Sequence, residues 1–453
     1  MLTRKDIKDK INRIIKPSAK EHVETIWPKN EDTDYIKPKS SGIFNKANFI
    51  RPILPLKKPR RKNTKNQLSP NHELHTYQQF HHKIKHHKLS SKHHHHKLNR
   101  HHNNPIMVPN TDNWWESHQV FNPGVVEIDG KIHMVYRSIG HDGESRLGYA
   151  YSLNGFDIEL RISYPIYKHK MVSENRYYHN ESGGSWGGCE DPRLVRIDQE
   201  DRIYMTYTAV DNGLRVGITS IDVDDFKNQR WRWARPRLIS SPNAVNKNWV
   251  IFPEKINGKY AILHSISPKI SIEYRDNLNF KRSEYIECYY KNDKSRKEHW
   301  DSWVRGAGPP PLKTKHGWLI FYHAMDAKNP SQYLLGAMLT DLNDPTKIIH
   351  RSKYPILVPD EIYENQGFKS GVIYASGAII KDGNIIVYYG GADSYVCAAY
   401  TNLYEFLNKL MQDEEIKLKN SLLPNINFSN LNINKITNNI KSKVATSFKR
   451  KVR

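Results

Sequence analysis

The stretch Gly187-Gly188-Cys189-Glu190-Asp191-Pro192-Arg193 concentrates the residues best able to do chemistry. Two glycines permit a close backbone approach, two adjacent carboxylates follow, and Pro192 fixes the backbone ahead of the apolar run from Leu194 to Ile197. Along an extended segment neighbouring side chains face opposite ways, so Glu190 and Asp191 are expected to divide the work. One is left to exchange a proton, and the other to anchor the loop, for instance on Arg193. A charged turn with a surface ion pair has the same composition, so the surrounding elements have to decide between the two.

Those elements repeat. Five segments each begin at a turn and continue as an apolar alternation of period two: Gly130 to Arg137, Asp201 to Thr208, Gly258 to Ser265, His316 to His323, and Gly383 to Gly390. Further strand-like runs lie between them, including Arg215-Val216-Gly217-Ile218 and Leu334 to Met338. One four-stranded sheet per interval predicts an all-β fold, a five-bladed β-propeller, rather than a sandwich or a solenoid. Corresponding blade ends converge on a central funnel, which places Arg137, Thr208, Ser265, His323 and Gly390 at one equivalent position, with Asp191 just ahead of the second signature strand.

Composition sets the boundaries. The chain has 453 residues, 70 Lys+Arg against 47 Asp+Glu, and a formal charge of +23. The excess sits at both ends. Residues 1–35 hold one short candidate helix, with Ile7, Ile11, Ile14 and Ile15 at helical spacing. Residues 36–103 read as a disordered, basic Lys/His-rich arm, since more than half of the 23 histidines fall between His72 and His102 and little there is apolar. The propeller is expected over 104–411, ending in a short amphipathic helix at 402–411, and 412–453 read as a basic, Asn-rich tail. Three scattered cysteines make neither a disulfide framework nor a metal site. No metal and no cofactor is expected. With no apolar run long enough to span a bilayer and no leader-like h-region, a cytoplasmic location is expected. The basic termini carry no nucleic-acid motif, so nucleic acid is not expected as the primary partner.

Eight short motifs resemble glycoside hydrolase family 130, the β-mannoside phosphorylases and β-mannosidases, and occur in family order over about residues 103 to 411. They are Phe121-Asn122-Pro123-Gly124, Tyr136-Arg137-Ser138, Cys189 to Arg193, Ile251 to Tyr260, Gly306 to Pro311, Gly317 to His323, Tyr363 to Gly367, and Tyr389 to Ser394. The resemblance implies inverting cleavage of a β-mannoside oligosaccharide or glycan, with Asp191 as general acid. It also implies that Asn122, Arg137 and Asp393 hold the mannose and that Tyr322 and His323 line the funnel wall. Trp186, Trp249, Trp303 and Tyr363 are candidate aromatic faces for the sugar. Burial in the funnel is expected to raise the Asp191 pKa so that it keeps a proton. Family members also suggest a homo-oligomer.

The nucleophile is either inorganic phosphate, as co-substrate, or water. Phosphate needs a basic cluster, and here the chain departs from the family pattern. Lys247 stands where Arg is usual, Ser265 replaces a second Arg, and Arg305 lies one residue beyond a usual Lys whose slot holds Val304. Arg235 and Arg237 are candidate substitutes. Hydrolysis would instead require a carboxylate base, for which Glu254, Asp301, Asp326 and Glu364 are candidates. A mannosyltransferase of related propeller type and a non-catalytic glycan-binding propeller are the alternatives.

Overall fold

In a computed structural model, the described residues are 98–170, 184–210, 213–242, 244–288 and 294–412. The expected helix in 1–35, most of the 36–103 arm and nearly all of the 412–453 tail lie outside them.

The described chain is mostly strand, arranged as antiparallel meanders. The first runs through Gln119–Ile128, Lys131–Ile139, Ser145–Ser152 and Leu160–Arg161, and the second through Gly188–Arg196, Arg202–Val210, Leu214–Asp222 and Arg237–Leu238. A single parallel bridge, Ser145 to Gly188, joins them into one sheet. The third contains Val250–Ile251, Tyr260–Ser265 and Ser271–Arg275. The fourth contains Trp303–Ala307, Gly317–Asp326, Asn329–Thr340 and Ile348–Arg351, with Leu312–Thr314 added beside Gly317–Asp326. The last contains Ile373–Lys381, Asn384–Gly391 and Tyr395–Asn402. In every meander the repeated segment read from the sequence is the second strand. Alternating apolar residues of adjacent meanders pack face to face, as where Val250, Leu263, Ile320 and Met338 share one cluster.

One boundary has to move. Asn99–Arg100, inside the stretch assigned to the arm, pairs with Tyr400 and Ala399 as the outer strand of the last meander. Leu98 is buried beside it. The Arg100 guanidinium explains why so short a strand stays put. It donates to both oxygens of the buried Glu364 at 2.7 and 2.8 Å. The helix Leu403–Met411 forms where the apolar spacing predicts it, with Asn402 accepting from the Glu405 N–H at its N-terminus and Phe406, Leu407 and Leu410 buried. Among the described residues no helix is long and apolar enough to cross a membrane.

Candidate active site

The first strands of four meanders are not regular, the last of them slipping between Ala375 and Gly377, and the irregularities of the other three make the site. Pairing slips between Phe121 and Gly124, between Glu190 and Arg193, and between Val304 and Gly306. Each slip is a bulge, which leaves a residue unpaired and re-aims its side chain. At two of them the unpaired residue has positive φ and precedes proline: Asn122 at 48° and Asp191 at 50°. Asn and Asp tolerate this left-handed geometry better than other non-glycine residues. The consequence is direct contact, with Asn122 Nδ2 donating to Asp191 Oδ1 at 2.8 Å. Gly390 makes room for this, because a Cβ there would lie 2.0 Å from Asn122 Oδ1.

The bulge also changes the reading of the two carboxylates. Strand alternation would send them apart, yet both reach Arg137, whose Nη2 donates to Glu190 Oε1 at 2.6 Å and whose Nη1 donates to Asp191 Oδ1 at 3.2 Å. Glu190 is fully buried and also accepts from Ser185 Oγ at 2.8 Å, so it is the anchor. Its partner is Arg137 and not Arg193. Arg193 instead donates to the Asp191 carbonyl at 2.7 Å, the Gly308 carbonyl at 2.9 Å, Asn248 Oδ1 at 3.1 Å and the Tyr374 hydroxyl at 3.0 Å. It ties together the second, third, fourth and last meanders behind the acid.

Asp191 opens on a cleft of about 420 Å³ lined by Asn122, Arg137, Lys247, Trp303, Arg305, Met325, Pro330, Ser331, Tyr333, Lys369, Ser370, Val372, Tyr374 and Asp393. Of the expected sugar-holding residues, Asn122, Arg137 and Asp393 are there, as are both expected phosphate ligands. Arg305 points in because of the bulge. The one-residue offset from the family slot at Val304 coincides with the register slip between Val304 and Gly306. Its guanidinium lies 4.7 Å from the Trp303 ring centroid. Lys369, whose Nζ is 3.6 Å from Asp393 Oδ2, was not singled out by any motif. Its neighbours Gln366 and Gly367 belong to one, which was the available signal.

Two expected residues do not line the cleft. The Tyr322 hydroxyl donates to the buried Asp301 at 2.7 Å and accepts from Arg351 Nε at 3.0 Å, on the opposite face of its strand from His323. His323 sits behind the cleft wall, stacked on Tyr374 at 4.3 Å between centroids, with Nε2 accepting from the Ala375 N–H at 2.9 Å. Burial, with Arg193 adding to it, pushes His323 down to about 3. The aromatic candidates divide similarly: Trp303 lines the cleft, Trp249 and Tyr363 are core residues, and Trp186 is half-exposed outside it.

The electrostatics correct another expectation. Burial pushes the Asp191 carboxyl up, but Arg137 and Arg193, the Asn122 amide and Lys247 outweigh it and hold the carboxyl below its usual range. Lys247 is pushed down by burial, against the pull of Glu190 and Asp191. Burial raises the Cys189 thiol to about 12, which leaves it no role as a nucleophile.

A second cavity of about 210 Å³ adjoins the cleft through two shared residues, Lys247 and Arg305, and Ser265 forms part of its wall. The three positions of the expected basic cluster therefore meet in space, one of them without its charge. Arg235 and Arg237 line a separate outer recess with Phe280. The candidate bases are also elsewhere. Glu254 pairs with Lys313, Asp301 with Arg296 and Arg351, and Glu364 with Arg100, while Asp326 accepts from the Lys328 N–H.

The family model described as beta-1,4-mannooligosaccharide phosphorylase, glycoside hydrolase family 130, matches residues 91–412. The chain belongs to glycoside hydrolase family 130. It is 36% identical over 309 residues to a 1,2-beta-oligomannan phosphorylase of Thermoanaerobacter sp. (strain X514), covering 65% of this chain and 94% of that one. It is 34% identical over 313 residues to a beta-1,2-mannobiose phosphorylase of the same organism, covering 66% and 94%. Among solved structures, the beta-1,2-mannobiose phosphorylase from Listeria innocua, in complex with beta-1,2-mannobiose, superposes with a TM-score of 0.54 at 26% identity, over 69% of this chain and 99% of that one. The match begins at residue 91, upstream of the expected boundary at 104, in agreement with the paired strand Asn99–Arg100.

Proposed function

We propose that the chain is an inverting β-mannoside phosphorylase, acting first on β-1,2-linked mannosides, with its meanders closed into a five-bladed propeller. Two features support the ring. The first described strand pairs with the last meander. A cavity at the other end of the strands takes its lining from every meander, through Val125, Val195, Pro253, Leu312 and Ile379.

The observation that carries phosphorolysis is the charge of the cleft. Among the described residues, Arg137, Lys247, Arg305 and Lys369 line it against two carboxylates, Asp191 and Asp393. A desolvated phosphate requires such an excess of cations. Hydrolysis requires a second carboxylate to activate water, and every candidate read from the sequence is paired or faces elsewhere.

In this reading Asn122, Arg137 and Asp393 hold the mannosyl unit, and phosphate lies against Lys247 and Arg305 in the space that Ser265 leaves open. A phosphate oxygen attacks C1 opposite the leaving group, the C1–O bond breaks, and a proton that started on Asp191 reaches the departing oxygen through a sugar hydroxyl. Phosphate binding cancels part of the positive field that keeps Asp191 ionised, and a phosphate monoanion carries in the proton that the carboxyl takes up. The products are α-mannose 1-phosphate and a shortened glycan.

The test is product analysis by proton and phosphorus NMR with β-1,2- and β-1,4-mannobiose, each with and without phosphate. Mannose 1-phosphate is expected only when phosphate is present. Free mannose formed at the same rate in its absence overturns phosphorolysis in favour of hydrolysis.

A further inference from the structure

Beside the cleft lies a second recess, of about 540 Å³, whose walls include Trp186, Phe368, His118, His141, Asp142 and Ser394. This volume is within the range of small-molecule sites. Its wall residues are chain neighbours of cleft residues: Ser394 follows Asp393, Phe368 precedes Lys369, and the Phe368 N–H donates to Ser394 Oγ at 2.8 Å.

Its construction is unusual for open surface. Trp186 and Phe368 are each 46% exposed, yet both rings are seated on glycines. A Cβ at Gly143 would lie 2.4 Å from the Trp186 ring, and one at Gly184 would lie 2.2 Å from the Phe368 ring. The Trp186 N–H donates to the Gly143 carbonyl at 2.9 Å, fixing the side chain's base. Among the described residues Trp114 and Trp186 are the exposed tryptophans, and of the two only Trp186 stands in the wall of this recess. Polar groups surround the rings. His118 and His141 meet edge to face at 4.8 Å, and the Asp142 carboxylate is held by Arg146 at 2.6 and 2.9 Å.

Flat aromatic faces with hydroxyl-binding groups around them suit the C–H faces and hydroxyls of a pyranose. We propose that this recess is a second saccharide subsite, taking a further hexosyl unit of the same β-mannan chain whose scissile bond lies over Asp191. The inference rests on the phosphorylase reading for the identity of the chain. It makes length, and not only linkage, a feature that the enzyme reads.

The experiment compares a β-1,2-mannotetraose with β-1,2-mannobiose as substrates of the full-length protein, of Trp186→Ala and of Phe368→Ala. The ratio of kcat/KM for the longer to the shorter substrate is expected to fall about tenfold in each variant. A ratio unchanged in both variants overturns the subsite. Light scattering is run alongside, and loss of a dimer or larger assembly in Trp186→Ala with the ratio intact assigns the aromatic rim to a second copy of the chain instead. If no β-mannoside is turned over, the phosphorylase reading fails, and the subsite is read by saturation-transfer NMR with mannotetraose alone. Transfer to an additional hexosyl ring that disappears in Trp186→Ala supports it, and an identical pattern in the variant overturns it.

Discussion

The first two strands of each meander run from the cleft to a tight turn, and both ends bend the backbone into the left-handed region by different means. At the turn end of the first, third and last meanders the residues are Asp129-Gly130, Asn257-Gly258 and Asp382-Gly383, with φ between 49° and 78°. Such pairs form the two-residue turns that suit the twist of antiparallel strands, and they carry no chemistry. At the cleft end the positive-φ residues are Asn122, Asp191, Asn248 and the pair Ala392-Asp393, and most of them present a polar side chain to the site or to its supports. Local strain at one end closes a hairpin. At the other it aims functional groups, as strained backbone at active sites often does.

The comparison breaks first at Asp191. Asp191→Asn keeps the shape of the bulge but removes the proton, so kcat on a β-mannoside is expected to fall by roughly 10²- to 10⁴-fold. Circular dichroism should show the fold intact. Turnover retained within a few-fold would place the acid elsewhere. A matched pair of glycine changes tests the two ends more finely. Gly390→Ala puts a Cβ against the Asn122 amide, which has to turn away from Asp191, so kcat should drop about tenfold, equivalent to roughly 1.4 kcal/mol, with little change in Tm. Gly383→Ala meets no neighbouring atom but sits at φ 74°, so it should cost roughly 1 kcal/mol of stability and leave kcat alone. The reverse assignment of the two phenotypes would show that the ends do not differ as described.

The same contrast explains what could be read in the sequence. The turn end was legible, because Gly after Asp or Asn ahead of an apolar alternation is a local signal, and it located the second strand of the first, third and last meanders. Asp191, Asn122, Arg137 and Asp393 were legible only through their motifs. Nothing local announces that Asn122-Pro123 and Asp191-Pro192 are bulges, so strand alternation wrongly separated Glu190 from the Arg137 that both carboxylates share. Tyr322 and His323 were placed on the funnel wall by the resemblance, not by alternation. They share a strand with opposite faces, and both face protein. The pKa of Asp191 failed for a related reason: burial could be foreseen, but the convergence of Arg137, Arg193 and Lys247 depends on three different meanders. Lys369 came from a loop whose path no periodicity encodes. The outer strand Asn99–Arg100 was hidden because two residues beside a histidine tract carry no pattern, and their anchor, Glu364, lies far along the chain.

The last expected effect appears only on acidification and concerns the wall behind the acid. His323 is pushed down to about 3 by burial, whereas an imidazole in the unfolded chain titrates near 6.5. Below pH 6.5 the unfolded state therefore binds a proton that the folded state refuses. The sign follows directly: stability from this group is complete above about pH 6.5 and is lost progressively as pH falls towards 3. Between pH 6.5 and 5 the loss amounts to at most about 2 kcal/mol. Asp191, also held low, adds a loss of the same sign but only at pH below about 3.9, so it does not contribute between pH 7 and 5. His323→Gln supplies an amide oxygen that can accept from the Ala375 N–H and cannot titrate. Urea melts of both proteins from pH 7 to 5 should then show a flatter decline for His323→Gln. Parallel curves would mean that this imidazole takes up its proton in the folded protein, and that the wall stacked on Tyr374 is open to water in a way its packing does not suggest.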